Sequence, residues 1–166
     1  FLFVGRLMPH KGVFTLINAF RTYCDAGGKK SLKVVGRVGE TAFYEKLRKA
    51  AEGLPVEFRH SVSDDELPDL YQNAALTVIP SEAKGGEAPP PELMGFTVLE
   101  SQACGTPVLV SDAGPMREFI SPETGMVFPA GNPDALGMLF MRELRGLSIA
   151  PRISVGKKSV PFPGKR

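Results

Sequence analysis

The sequence predicts an α/β fold, a parallel sheet with helices on both faces. Three observations predict it. Short apolar runs alternate with longer segments of helical period along most of the chain, which is the pattern of repeated strand and helix units. The 166 residues, 43% hydrophobic and 23% charged, suit one ordinary domain large enough to bury a sizeable core without disulfides or metals. No run approaches 18 apolar residues, and no repeat of fixed period occurs, so a membrane span and a solenoid are both poorly supported.

Six units can be placed in order. Residues 1 to 4 read as a buried strand, and Val13, Leu16, Ile17 and Phe20 then recur at helical spacing, a stripe that faces the sheet. Residues 32 to 35 are a second strand. A helix over 41 to 52 turns Phe43, Leu47 and Ala50 inward and is stopped by Gly53, Leu54 and Pro55. After a short strand at 56 to 58, Ser63-Asp64-Asp65-Glu66 has the capping-box pattern, with Ser63 as N-cap of a helix whose buried face is Leu67, Leu70, Tyr71 and Ala74. A fourth strand, 76 to 79, ends at Pro80, and residues 81 to 91 form a loop rich in Gly and Glu with three consecutive prolines. A helix over 95 to 103, a strand at 107 to 110, a short helix at 115 to 120 and a strand at 126 to 128 follow. Asn132-Pro133 opens the last helix with N-cap and N1 residues in their preferred places. Beyond residue 146 the apolar period disappears and Pro, Gly and bases take over, so the domain is bounded at 1 to 146 and residues 147 to 166 are expected to be an unstructured basic tail.

Charge and cysteine usage narrow the function classes. The net charge is +2, yet five of the 20 bases and none of the 18 acids lie after residue 150, so the body is slightly acidic. Nucleic-acid binding would show a basic face with interleaved aromatics, and the body shows neither. Cys24 and Cys104 lie far apart with no C-x-x-C, which argues against a disulfide scaffold or thiolate zinc site and fits a reducing cytoplasm. His10 and His60 sit in different loops with no carboxylate at ligand spacing, so no metal is expected. The opening Phe1-Leu2-Phe3-Val4 lacks the flanks of a secretory signal and no initiating Met precedes it, so the chain is expected to be part of a longer protein.

Two segments can carry chemistry. Gly5-Arg6-Leu7-Met8-Pro9-His10-Lys11-Gly12 joins the carboxyl end of a strand to the amino end of a helix, where unpaired N–H groups and the helix dipole favour an anion. Gly5 allows close backbone approach, Arg6 offers a planar fork and Lys11 a point charge, a pair suited to a diphosphate. On spacing alone a solvated loop with two surface cations fits equally well. Neither a P-loop nor the usual dinucleotide fingerprint is present. The second segment carries Glu92 and Glu100, eight positions apart. If both were helical, the rise would be about 12 Å, too far for carboxylates sharing a proton. Glu92 in the loop and Glu100 a turn into the helix could instead receive hydroxyls from two parts of an elongated ligand such as a nucleotide sugar. Two solvated glutamates near a helix start satisfy the same spacing.

Together these residues resemble the family 4 glycosyltransferases, retaining enzymes of the GT-B fold. The match runs from Phe3-Val4-Gly5-Arg6-Leu7 with Lys11-Gly12, through Leu32 to Gly36, Glu66-Leu67 with Leu70-Tyr71, Val78 to Ser81 and Glu92 to Pro107, and ends at Ser111-Asp112-Ala113-Gly114 with Glu118 and Thr124-Gly125. It covers about residues 1 to 145 and only the family's C-terminal, donor-binding domain, a Rossmann-like sheet. The resemblance implies that Arg6 and Lys11 hold the donor diphosphate as it leaves, Glu92 lies beside the donor sugar, and Glu100 binds the ribose hydroxyls. It also implies that backbone amides at Met94, Gly95 and Phe96 contact sugar or phosphate and that Gly5 lets the phosphate approach. No cofactor is implied beyond the nucleoside diphosphate sugar, which is the donor substrate. The implied partners are that nucleotide sugar and an N-terminal acceptor-binding domain missing from this chain, with peripheral membrane association of the full-length protein and a role in surface polysaccharide or glycolipid synthesis.

The chain departs from the family pattern at several points. Members usually have an aromatic at Met94 and a glycine at His60, and Gly114-Pro115-Met116-Arg117-Glu118 replaces the more usual Gly-Gly-x-Pro-Glu. The 82 to 91 loop is longer than in many members. His60 reads as a base-stacking candidate or, more commonly, a hydrogen-bonded loop histidine, and Cys104 as packing. With the acceptor domain absent, the chain is expected to bind donor weakly and to transfer little or nothing alone. Two other readings use the same residues: a noncatalytic nucleotide-sugar-binding or scaffold module, and a sugar-nucleotide epimerase of the same fold, which the spacing of Glu92 and Glu100 fits less well.

Overall fold

The computed structural model describes residues 1–82 and 95–150. Within them the chain runs β1 (Leu2–Val4), α1 (Val13–Asp25), β2 (Leu32–Val35), α2 (Thr41–Ala50), β3 (Val56–Arg59), α3 (Leu67–Asn73), β4 (Thr77–Ile79), α4 (Phe96–Ala103), β5 (Val108–Ser111), β6 (Gly125–Phe128) and α5 (Pro133–Leu144). The strands pair in parallel in the order β3-β2-β1-β4-β5-β6. This is the α/β Rossmann-like sheet that the alternating pattern implies. The chain builds outward from β1 to β3, then returns to lay β4 on the other side of β1, so the order reverses between β1 and β4. In such sheets the loops leaving the two strands diverge at that point and open a crevice at the carboxyl ends.

Alternation along the strands divides the core between the two faces. Phe1 and Phe3 join one cluster with Leu16, Ile17 and Phe20 of α1, while Leu2 between them points to the other face, against Leu70 and Tyr71 of α3. Likewise Leu109 lies on the α1 side, and Val108 and Val110 pack with Val98 of α4. The predicted α1 stripe is fully buried, with Val13, Leu16, Ile17 and Phe20 each 0% exposed. At about 1.5–3 kcal/mol for each fully buried large apolar side chain, this helix is a principal anchor of the fold. Its far end closes on α5 through an aromatic group in which Phe1 and Phe140 stack at 4.6 Å and Phe20 and Tyr23 pack around them.

Capping explains most helix boundaries. Asn132 Oδ1 accepts the Ala135 N–H at 2.9 Å and Pro133 occupies the first turn of α5, as the sequence predicts. The Ser63 and Glu66 bonds also form, Ser63 N–H donating to Glu66 Oε2 at 3.0 Å and Glu66 N–H to Ser63 Oγ at 3.3 Å. The helix they were expected to open starts later, at Leu67. Pro68 has no N–H to donate back to the preceding turn, so residues 64 to 66 stay a turn held by side chains. Beyond α5, Ile149 and Ala150 are buried, Ile149 in the main core cluster; residues 151 to 166 of the expected tail lie outside the described residues.

Candidate functional site

At the reversal between β1 and β4, on the carboxyl side of the sheet, lies a cavity of about 360 Å³. Three segments meet there: Gly5, Arg6 and Lys11 from the β1–α1 connection, Ile79 and Ser81 at the end of β4, and Gly95, Phe96 and Thr97 at the start of α4. Met116 closes one side. The structure thus brings together five of the eight residues singled out in the sequence. Glu92 and Met94 lie outside the described residues, and Glu100 stands one helical turn beyond Thr97 rather than in the cavity wall.

The β1–α1 connection is not the open loop that its composition suggests. Leu7 bridges to Val38, and Pro9–Lys11 form a 3-10 turn that ends at Gly12. Gly12 has φ +67 and caps the start of α1, and a Cβ there would lie 1.7 Å from the Pro80 carbonyl oxygen. Only glycine lets the turn press this closely on the end of β4, and that contact carries Lys11 over the cavity. The approach is tied down by Glu82, whose N–H donates to the His10 carbonyl at 2.8 Å and whose Oε1 accepts from Thr15 Oγ1 at 2.6 Å. Ser111 Oγ, donating to the Ser81 carbonyl at 2.6 Å, fixes the segment after β4 from the other side.

Cationic groups stand close together at this mouth. Burial, and then the positive charge of Arg6, push the Lys11 ammonium below its usual range. Burial, then Lys11 and Arg6, lower His10 in the same way, so its ring is neutral at pH 7. His10 Nε2 is buried with no hydrogen-bond partner among the described residues. Among the described residues no carboxylate lies within ion-pair distance of Lys11. Cations held close together by packing destabilise one another, and an anion entering the cavity would relieve that repulsion. The eight-residue α4 adds its amino end, with Gly95 as N-cap and no side chain capping it. Its first N–H groups and dipole therefore favour negative charge on the same side of the cavity.

Glu100 lies half-buried on α4. The Tyr71 phenol donates to its Oε2 at 2.8 Å. Burial raises the Glu100 carboxyl above its ordinary value, the Tyr71 hydrogen bond opposes that shift, and Asp64 adds to it. Tyr71 itself is wholly buried, and burial followed by the Glu100 charge holds its phenol protonated.

The departures noted in the sequence find physical explanations here. His60 Nε2 lies 2.9 Å from the Tyr44 hydroxyl and the two rings meet edge to face at 4.8 Å, which is the hydrogen-bonded loop histidine. Pro115 starts a 3-10 turn, Pro115–Phe119, where its missing N–H has no partner to lose. Cys104 is buried beside Tyr71, and Cys24 and Cys104 are both free thiols. The sequence reading missed Ser81, Thr97 and Met116 as cavity residues and Tyr71 as the partner of Glu100. Thr97 carried a readable signal, since it lies one helical turn before Glu100.

Residues 1–144 match the family model for glycosyl transferases group 1. The chain belongs to the group 1 glycosyltransferases. Relatives of this group 1 domain include a GDP-mannose-dependent alpha-(1-6)-phosphatidylinositol dimannoside mannosyltransferase of Mycobacterium tuberculosis, strain H37Ra, 33% identical over 122 residues that cover 73% of this chain and 29% of the relative. A D-inositol 3-phosphate glycosyltransferase of Streptomyces bingchenggensis is 32% identical over 161 residues, 90% of this chain and 33% of the relative. The group 1 domain therefore spans about a third of the length of these relatives. Among solved structures, the C-terminal domain of a group 1 family glycosyl transferase from Francisella tularensis has the same fold, with a TM-score of 0.68 at 21% identity, over 91% of this chain and 80% of that one. Among the described residues no helix is long and apolar enough to cross a membrane, and no group of three His, Cys, Asp or Glu side chains could hold a metal ion.

Proposed function

We propose that this chain is the donor-binding domain of a retaining, family 4 glycosyltransferase that moves a sugar from a nucleoside diphosphate sugar to a hydroxyl acceptor. The observation that carries this reading is the meeting of Arg6, Lys11 and the amino end of α4 around one cavity at the sheet's reversal point. In the proposed reaction the bond between sugar and diphosphate breaks, the acceptor hydroxyl attacks the same face of the sugar, and the leaving phosphate removes the acceptor's proton. The domain's task is positioning and charge stabilisation. Arg6 and Lys11 neutralise the diphosphate as negative charge builds on its leaving oxygen, and the α4 amides at Gly95 and Phe96 add donors that need no reorganisation. Gly5 gives the phosphate room, Glu100 receives the ribose hydroxyls, and Glu92 and Met94 are assigned to the donor sugar. These cationic groups take the place of a metal, and no cofactor is required.

The relatives' names suggest where to start: GDP-mannose is the donor named for the mycobacterial protein. Binding of GDP, UDP, ADP and their sugars to this chain, measured without metal by calorimetry or ligand-observed NMR, tests the proposal. Selective binding that Lys11→Ala and Arg6→Ala weaken is the expected result. Equal affinity of both variants and the parent would overturn it. Transfer needs an acceptor-binding domain, so this chain alone is expected to bind donor weakly and to turn over little of it.

A further inference from the structure

We infer that Tyr71 is a positioning residue of the donor site, holding Glu100 in one orientation so that its other oxygen is presented to the ribose hydroxyls of the nucleotide. The inference deepens the donor-site reading and rests on it.

The geometry is specific. Tyr71 is on α3 and is 0% exposed. Its hydroxyl donates to Glu100 Oε2 at 2.8 Å and lies near the Thr97 side chain. Thr97 lines the cavity and Glu100 follows it by three residues, so both lie on one face of α4 and the phenol lies against both. A carboxylate has two oxygens and accepts several hydrogen bonds. Oε2 is held by Tyr71, and among the described residues no hydrogen bond engages Oε1, which is left for a ligand. The main chain that carries the phenol is held in turn, because Thr106 Oγ1 donates to the Tyr71 carbonyl at 2.6 Å and Ser101 Oγ lies 3.0 Å from the Thr106 carbonyl and 2.8 Å from Thr77 Oγ1. This buried chain ties the position of Glu100 to strand β4. A half-buried carboxylate without such a donor would rotate among rotamers or take up a proton, and either would weaken its grip on a diol.

The test separates ribose contacts from diphosphate contacts. Affinities of a nucleoside diphosphate, its 2′,3′-dideoxy counterpart and inorganic pyrophosphate are measured for the 166-residue chain and for Tyr71→Phe, Glu100→Ala and the double variant. Tyr23→Phe, which deletes another buried phenol, far from the site, serves as the packing control. Tyr71→Phe should cut the preference for the ribose-bearing ligand about tenfold and leave pyrophosphate affinity unchanged. In the Glu100→Ala background it should have no further effect, and Tyr23→Phe should leave the preference intact. The pH profile provides a second readout. The groups facing Glu100 are Tyr71 from α3, Asp64 from the turn before it and Cys104 on its own side. Losing the Tyr71 donor removes the one contact among these that favours the ionised carboxyl, so the ribose preference should fade at a higher pH in Tyr71→Phe than in the parent. An unchanged preference in Tyr71→Phe, or an equal loss for pyrophosphate, overturns the inference. If Glu100→Ala keeps the ribose preference, or if none of the ligands binds the folded chain, the donor-site reading falls and takes this inference with it.

Discussion

The two ends of the sheet each carry a cavity, and they arrange charge differently. At the carboxyl end, about 360 Å³ is bordered by Arg6 and Lys11, with α4's amino end adding to the positive potential and, among the described residues, no carboxylate within ion-pair distance of Lys11. At the amino end, about 500 Å³ lies between Lys30, Leu76, Pro107 and Glu143, and there Lys30 and Glu143 pair at 3.2 Å. The amino end pairs its lysine with a glutamate, while the carboxyl end sets Lys11 beside a second cation, Arg6, whose charge disfavours the ammonium. Size does not distinguish them, since the larger cavity is the self-neutralised one. What marks the carboxyl end is that the fold holds two cations close together beside the amino end of a helix.

The largest effect expected from this contrast is steric. Replacing Gly12 by Ala forces a side chain into a left-handed conformation and against the Pro80 carbonyl, a combination that should cost about 2–5 kcal/mol in unfolding free energy and displace Lys11 from the cavity. Gly146, at the other end, has φ +70 with nothing within 4 Å of a Cβ, so Gly146→Ala should cost only about 1 kcal/mol. Denaturant titration of the two variants measures the difference, and near-equal losses would mean that the turn moves without consequence.

Next in size is the effect of charge on ligand binding. Lys11→Met should lower pyrophosphate affinity about tenfold to a hundredfold, the range for losing a hydrogen bond between charged groups. The same substitution should leave the ligand-free fold no less stable, because Lys11 is half-buried beside Arg6 with its charged form disfavoured. A melting series with and without pyrophosphate checks both halves: at equal concentration the ligand should raise the transition of the parent more than that of Lys11→Met.

His10 gives a smaller effect that depends on pH. Its folded value lies below the ordinary 6.5, so between those two values the unfolded chain binds more protons than the folded one. Stability should therefore rise as pH climbs through that window and fall on acidification, a trend that His10→Gln flattens. An anion in the cavity favours the protonated ring, so the affinity for sulfate, whose charge is constant over about pH 5 to 7, should increase as pH falls. Parallel stability curves for the parent and His10→Gln would show that the ring does not titrate against its cationic neighbours.

How much of this was legible in the sequence depends on whether the determinant was local. The α1 stripe, the Asn132 cap and the six strands follow from spacing and capping chemistry, and each lies where that chemistry places it, to within a residue or two at the ends. The loop holding Arg6 and Lys11 was readable as an anion site because its residues are contiguous. Its 3-10 turn was not, because that turn exists only where Gly12 meets Pro80, 68 residues away. The start of α3 was misplaced for a local reason that could have been read: Pro68 stands in its first turn. Tyr71 looked like a core residue from its spacing, and it is one. Its phenol reaches Glu100 across 29 residues of sequence, a pairing that only packing of α3 on α4 creates.

The smallest effect should come from the self-neutralised end. The Lys30 side chain is 45% exposed and that of Glu143 22%, so their pair is screened by water and should contribute under about 1 kcal/mol. Lys30→Met should shift the unfolding midpoint slightly and leave pyrophosphate affinity at its parental value. That null on binding is what gives the Lys11 result its meaning. Both substitutions remove one positive charge from the rim of a cavity, so a loss confined to Lys11 would come from where the charge is held and not from net charge. Equal losses at the two ends would instead trace the binding to the overall field of the protein, and the contrast between the cavities would disappear.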